Sequence, residues 1–171
     1  EAQKLFNLPK EKLEILIHPN SLVHAIIKFK NGISKLIYHD TSMIIPLGNA
    51  ITDNNFEVSK FYKVRKKINN TDNLIFRKVD EKIFPIIKLK NRVNEHPSSP
   101  IIVNAANEIL VDQFLKHKIP FLRINKIILS ILKDRNYKKY AIRTPRKINQ
   151  IYKIDHWARE LTYKKINKKN V

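Results

Sequence analysis

The sequence predicts an α+β chain: a β-hairpin and a short strand come first, a connector follows, and a small C-terminal helical bundle ends it. Three observations carry that expectation. Asn31-Gly32 lies between two alternating stretches, Leu22 to Lys30 and Ile33 to Tyr38, which is the pattern of a tight hairpin. The stretch from Asp53 to Asp80 has no sustained periodicity and is rich in Asn and charge. From Pro85 onward, apolar residues recur at helical spacing behind start signals such as Ser98-Ser99-Pro100.

Taken in order, Glu1 to Leu8 reads as a helix with no Ser, Thr, Asp or Asn cap before it, as expected of a cut chain. Pro9, Glu11 and Lys12 make a turn, and Leu13 to Ile17 a short strand. If Asn31-Gly32 forms a two-residue type I′ turn, the register follows. Lys30 faces Ile33, Lys28 faces Lys35, Ile26 faces Ile37 and His24 faces His39, unless a bulge intervenes. Val23, Ala25, Ile27, Phe29, Leu36 and Tyr38 would then share the better core face. After Ser42-Met43-Ile44-Ile45-Pro46 the pattern stops, with Leu74-Ile75-Phe76 as a short extended piece in the connector.

Pro85 opens a helix through Leu89 and Val93. Ser99 caps the next, with Pro100 at its first position and a stripe through Ile101, Ala105, Ile109 and Leu115, widened by Val111 and Phe114. Pro120 ends it. Asn125 to Lys133 gives a third helix, Thr144-Pro145 caps a short fourth, and Asp155 caps a fifth carrying Trp157, Leu161 and Ile166.

Composition narrows the function classes. With 171 residues and 43% hydrophobic content the chain can bury a core. It has no apolar run of the roughly 18 residues a membrane helix needs, and its start does not resemble a signal peptide. The absence of cysteine excludes disulfides, thiolate metal sites and cysteine nucleophiles, and fits a cytoplasmic protein. The net charge of +19 raises nucleic-acid binding as an alternative. The lysines are nevertheless scattered, and they accompany a bias toward Ile and Asn that A/T-rich codons produce. Only Lys164 to Lys169 is a basic cluster. Phe29, Phe114 and Trp157 read as core residues rather than an exposed stacking row.

Chemistry concentrates in Ile17-His18-Pro19-Asn20-Ser21-Leu22-Val23-His24, at the mouth of the hairpin. Ser21, His24 and Asp40 make a hydrolytic triad on paper, without a nucleophile elbow to support it. His18, His24, His39 and Asp40 have the donor types for zinc, although hairpin histidines are more often hydrogen-bonded wall residues. Asn104 and Asn107, in the first turns of a helix, ordinarily satisfy local backbone. Two glycines cannot build a phosphate-cradling loop.

Several motifs in order resemble one family, the 1-deoxy-D-xylulose 5-phosphate reductoisomerases. They are Glu1-Ala2-x-x-Leu5-Phe6, Ile17-His18-Pro19-x-Ser21-x-x-His24, the Asn31-Gly32 turn, Met43-x-x-Pro46, Leu74-x-Phe76, Phe84-Pro85-x-x-Lys88-Leu89, and Asn104-Ala105-Ala106-Asn107-Glu108 with Phe114-Leu115. The resemblance implies an enzyme with an NADPH-binding domain, a central catalytic domain and a C-terminal helical domain. Such an enzyme isomerises and reduces 1-deoxy-D-xylulose 5-phosphate to 2-C-methyl-D-erythritol 4-phosphate, with Mg²⁺ or Mn²⁺, as a homodimer. It implies that residues 1–52 end the catalytic domain, 53–80 connect, and 81–171 form the helical domain. The family's metal-binding acids and nucleotide site would fall upstream of Glu1, so this chain alone would bind neither cofactor nor metal and would be inactive. His24, Ser21 and Met43 would lie at the edge of the active site. Asn104, Asn107 and Glu108 would brace the helical domain against the catalytic one. The acid and base that flank the family's methionine are here Ser42 and Ile44, a departure that touches loop contacts.

Overall fold

The computed structural model describes residues 2–61, 63 and 74–168. The chain divides into two compact units, 1–79 and 80–171. Part of the expected connector, including Asn69-Asn70, lies outside the described residues.

In the first unit come α1 (Ala2–Leu5), β1 (Leu16–Ile17), β2 (Val23–Lys28), β3 (Ser34–Tyr38), α2 (Ile44–Ile51) and β4 (Arg77–Lys78), with 3-10 turns at Lys10–Lys12 and Val58–Lys60. β1 is shorter than its expected span, and it pairs antiparallel with β4, Leu16 opposite Lys78 and Ile17 opposite Arg77. β2 and β3 form the hairpin.

The hairpin exists where expected, but its register is shifted by one residue. Lys28 lies opposite Ser34, Ile27 opposite Lys35, Ile26 opposite Leu36 and Ala25 opposite Ile37. The turn is the cause. A type I′ pair needs positive φ at both central residues, and only Gly32 has it, at +88°. The Phe29 amide donates to the Ile33 carbonyl at 2.9 Å and the Gly32 amide to the Phe29 carbonyl at 3.1 Å. This is a three-residue loop, a tight turn followed by a left-handed glycine. Asn31 holds it by accepting the Ile33 amide on Oδ1 at 3.1 Å. The shift removes the unfavourable Lys28–Lys35 pair, and it moves Leu36 onto the face of Ile26. Phe29, expected in the core, stays exposed beneath the Lys35 ammonium, 5.7 Å from its ring centre.

α2 was not expected from the sequence, whose periodicity stops at Pro46. Pro46 occupies the third position of the helix, where a backbone N–H has no intrahelical partner to lose. Gly48 lets α2 close on Phe56: a Cβ there would sit 2.5 Å from the Phe56 ring.

In the second unit a 3-10 helix (Pro85–Asn91) precedes α3 (Ser99–Leu115), α4 (Phe121–Ile131), α5 (Tyr137–Ala141) and α6 (Ile148–Asn167). α3 packs on α4 and α6. The buried face of α3 is Ile102, Ala105, Ala106, Ile109, Leu110 and Gln113, one residue round from the expected stripe, and Leu115 is exposed. The small Ala105, Ala106 and Ala158 are fully buried, as close helix approach requires. Ile102, Leu110, Ile127 and Ile131 fill the centre, each worth about 1.5–3 kcal/mol of apolar transfer.

Three start signals worked differently from their reading. Ser98 is the N-cap residue but makes no side-chain cap bond. Its hydroxyl donates instead to the Arg143 carbonyl at 2.7 Å, while Ser99 Oγ donates to Tyr137 Oη at 2.7 Å. α4 begins directly after Pro120, earlier than Asn125. The expected fourth and fifth helices are one helix, α6. Its start is held by Gln150 Oε1, which accepts the Arg146 and Lys147 amides at 2.7 and 3.4 Å. Asp155, read as a cap, lies mid-helix.

A polar chain ties the bundle together. Tyr137 Oη donates to Glu95 Oε1 at 2.8 Å, Arg92 donates twice to the Glu95 carboxylate at 2.9 and 3.1 Å, and Arg92 Nη2 reaches the Leu132 carbonyl at 3.2 Å. The Arg92 hydrogen bonds hold the Glu95 carboxyl below its ordinary value, and burial pushes the Tyr137 phenol up to about 12.

Candidate functional site

The sequence-predicted residues Ser21 and His24 lie at the start of β2, and Met43 follows the end of β3, the side of the hairpin away from its turn. Ser21 lies two residues before β2, His24 is its second residue, and Met43 is the N-cap residue of α2. Ser21 is left-handed, with φ of +52°, a region that non-glycine residues rarely occupy. Its amide donates to the His18 carbonyl at 3.0 Å, closing the turn His18-Pro19-Asn20-Ser21.

The register breaks between Val23 and Ala25, so His24 is the extra residue of a β-bulge. Bulges re-aim side chains. Here the His24 ring stacks on His39 with centroids 3.8 Å apart and planes 9° from parallel. His24 Nε2 donates to the His39 carbonyl at 3.3 Å, and His39 Nδ1 donates to the Asp40 carbonyl at 2.6 Å. The two histidines therefore face each other, although through a bulge rather than through the regular ladder.

This geometry decides between the chemical readings. Imidazole ligates a metal through an in-plane lone pair, and two parallel stacked rings do not aim those lone pairs at one point. Among the described residues no three His, Asp or Glu side chains gather to hold a metal. Asp40 turns to its own backbone, accepting the Thr41 amide at 2.6 Å. The Ser21–His24–Asp40 triad is not assembled. Ser42 accepts the Ile44 amide on Oγ at 3.3 Å, and Met43 is exposed.

Beside this end lies a cavity of about 590 Å³, lined by Lys12, Glu14, His18, His24, Lys28 and Phe76 among others. His18 was noted in the sequence only as a motif residue and a zinc donor. Its role in the wall was not legible there, because its partner Ile75 lies 57 residues away.

Asn104, Asn107 and Glu108 occupy an exposed face of α3 in the second unit. Asn104 Nδ2 donates to Glu108 Oε1 at 3.0 Å. Glu108 also pairs with Arg159 of α6, which holds Asp155 bidentately at 2.7 and 3.1 Å. These bonds, to Asp155 first and Glu108 second, push the Arg159 guanidinium above its already high ordinary value. The sequence contained a signal for Arg159, since Asp155 and Arg159 are four apart on a helix.

Among the described residues, Phe114 and Trp157 pack against other aromatic rings. Phe114 meets Phe121 edge-on at 5.6 Å, and Tyr140 stacks on Trp157 at 4.3 Å. Among the described residues no helix is long and apolar enough to cross a membrane.

The family model for the DXP reductoisomerase C-terminal domain matches residues 40–161. A 1-deoxy-D-xylulose 5-phosphate reductoisomerase of Pelagibacter ubique is 40% identical over 159 residues, covering 92% of this chain and 40% of that protein. One from Wolbachia pipientis wMel is 31% identical over 176 residues, covering 100% of this chain and 43% of that protein. The chain thus spans about two fifths of the length of these curated relatives. Among solved structures, the Zymomonas mobilis reductoisomerase in complex with NADPH matches with a TM-score of 0.77 and 29% identity, covering 98% of this chain and 43% of that one. A reductoisomerase in complex with magnesium matches with a TM-score of 0.79 and 25% identity, over 96% of this chain and 42% of that one.

Proposed function

Since this chain belongs to the 1-deoxy-D-xylulose 5-phosphate reductoisomerase family, we propose that it supplies the C-terminal part of an enzyme converting 1-deoxy-D-xylulose 5-phosphate to 2-C-methyl-D-erythritol 4-phosphate. The match of the family's C-terminal domain over residues 40–161 carries that reading. In it, 1–52 end the catalytic domain, 53–80 connect, and 81–171 are the helical domain. Ser21, His24 and Met43 edge the active site, and the exposed Asn107 braces the helical domain. Asn104 and Glu108 share that bracing role with bonds inside the domain, Asn104 to Glu108 and Glu108 to Arg159.

The enzyme's divalent metal supplies Lewis-acid polarisation of the sugar oxygens, and NADPH supplies the hydride. A hard cation needs several converging oxygen ligands, and the described residues do not gather them. With two glycines the chain also lacks a dinucleotide loop. The residues described here do not fit either group, and no reaction step is assigned to them. Their contribution is a wall: the stacked imidazoles, the Ser21 hydroxyl and the Met43 thioether shape one edge of the site.

On this reading the isolated 171-residue chain does not turn over substrate. The working enzyme is a cytoplasmic homodimer. The test follows NADPH absorbance with purified chain, 1-deoxy-D-xylulose 5-phosphate, NADPH and Mg²⁺. Oxidation by the chain alone would end the inactivity claim. The same assay on the Pelagibacter enzyme carrying this chain as its C-terminal part should show turnover; a folded hybrid that binds NADPH and has none would sink the assignment. Sizing that hybrid by light scattering checks the dimer.

A further inference from the structure

We propose that His18 is a positioning residue: its imidazole fixes the turn that presents the Ser21 hydroxyl at the histidine end of the hairpin. The relevance to catalysis rests on the reading of Ser21 and His24 as the edge of the reductoisomerase site. The positioning itself rests on geometry alone.

A left-handed serine persists when its surroundings over-determine it. Ser21 is such a residue, with φ of +52°, and the bond that closes its turn ends on the His18 carbonyl. Whatever fixes His18 therefore fixes Ser21. The His18 side chain is anchored on the opposite side. Its Nδ1 lies 3.0 Å from the Ile75 carbonyl, which can only accept, so Nδ1 carries the proton. Its ring lies 5.2 Å from the Phe76 ring, tilted by 33°. The backbone just before it, Leu16–Ile17, is zipped to Arg77–Lys78. Four consecutive contacts thus clamp residues 16–18 to residues 75–78, and the turn to Ser21 springs from the end of that clamp.

The remaining ring nitrogen explains why the role is positional. His18 Nε2 is buried and has no hydrogen-bond partner, the one such side-chain atom among the described residues. An orphaned buried acceptor is a cost, and a leucine or phenylalanine would avoid it while filling the same space. The compensation available at this position is the single bond from Nδ1–H to Ile75. The ring lines the cavity wall, but its shielded Nε2 has no partner to exchange a proton with, so the ring is arranged to hold rather than to shuttle. His24, by contrast, spends its ring on His39.

Two measurements on the whole chain test this. The first needs no substitution: ¹⁵N NMR of the histidine rings should show His18 as the Nδ1–H tautomer, and a dominant Nε2–H form overturns the proposal. The second compares His18→Asn, His18→Gln and His18→Leu. An Asn amide places its N–H₂ near the position of Nδ1–H, whereas Gln reaches toward Nε2. Exchange of the Ser21 amide should rise about tenfold in His18→Leu and His18→Gln, and stay within about threefold of the parent in His18→Asn. Equal exchange in all four proteins, or an equal rise in all three variants, overturns it. In the active hybrid described above, His18→Leu should raise KM for the sugar phosphate more than it lowers kcat, with rescue by His18→Asn. A rise without the Asn rescue marks mere packing and also overturns it. If the hybrid itself is inactive the proposed activity fails, while the tautomer and exchange results still decide the role of His18.

Discussion

Leu110 on α3 is fully buried, whereas Ile37 on β3 keeps 48% of its surface. Both are large aliphatic residues within regular elements, and the sequence periodicity placed neither on the face it marked as inward. The contrast extends to both units. Every buried apolar side chain among the described residues lies at or beyond Leu89, in the helical unit. In the hairpin unit, Ile27, Phe29, Ile33 and Leu36 are all exposed, on both faces of a sheet with two strands. A hairpin of two strands has little independent stability in water, and a face of this kind marks a surface that normally meets another. The helical unit contains its own solution to burying apolar surface. The hairpin unit carries the residues of the candidate site without that solution. Regions that carry function are commonly the ones of lower local stability.

The largest effect that sharpens this contrast is in the bundle centre. Leu110→Ala should cost the helical unit about 3 kcal/mol, through lost transfer energy and a cavity, read as a lower urea midpoint in far-UV circular dichroism. Ile37→Ala should cost less than about 0.5 kcal/mol, read on the exchange of hairpin amides. Equal costs would abolish the distinction between the units.

Next in size is the polar chain through Tyr137. Tyr137→Phe leaves Glu95 and Ser99 each short of a partner and should cost about 1–2 kcal/mol near neutral pH. The pH profile adds a signature. The folded-state value of Tyr137 is raised from 10.0 to about 12, so its contribution is complete below pH 10 and is lost as pH rises through 12. The Glu95 carboxyl is depressed below 4.5, so its contribution is present above that value and is lost as pH falls through the depressed one. Urea midpoints should fall at both extremes, and Tyr137→Phe should flatten the alkaline arm. A parent profile flat from pH 9 to 12 would sink this account.

These cases also show what the sequence could and could not disclose. The existence of the hairpin, the helical second half and the facing of His24 and His39 were legible, because turn residues and periodicity are local. The register was not. Asn31-Gly32 serves equally in a two-residue loop with both residues left-handed and in a three-residue loop with only glycine so, and the sequence does not reveal the φ of Asn31. Ser98 and Ser99 look like caps in any sequence; their tertiary partners, Arg143 and Tyr137, lie 45 and 38 residues away. Asp155 looked like a helix start because a mid-helix aspartate is unfavourable alone, and Arg159 supplies what it lacks.

The turn itself offers a smaller test, of about 1 kcal/mol. Gly32→Ala should destabilise the hairpin by that amount, since nothing crowds the position and the cost is the left-handed backbone alone. Gly32→Asn should cost less, because asparagine tolerates that region. The readout is exchange at the Phe29 and His39 amides. Equal penalties for Ala and Asn would show that the glycine is needed for something other than its φ.

The smallest effect bears on the helical unit's outer surface. Glu108 and Arg159 are about half and one third exposed, so solvent screens their attraction, and exposed pairs contribute little. A double-mutant cycle with Glu108→Gln and Arg159→Gln should give a coupling of about 0.5 kcal/mol, larger than for a lone surface pair because Asp155 already holds the guanidinium in place. High salt should reduce it. The size of this coupling separates two roles for one carboxylate. At about 0.5 kcal/mol, Glu108 is engaged inside its own bundle, and bracing of a neighbouring domain falls mainly to Asn107. A coupling indistinguishable from zero would mean that α6 does not hold Glu108 in solution. The carboxylate would then be available for a contact outside the helical unit, and the proposed bracing role of Asn104, Asn107 and Glu108 would be strengthened at the expense of the bond seen here.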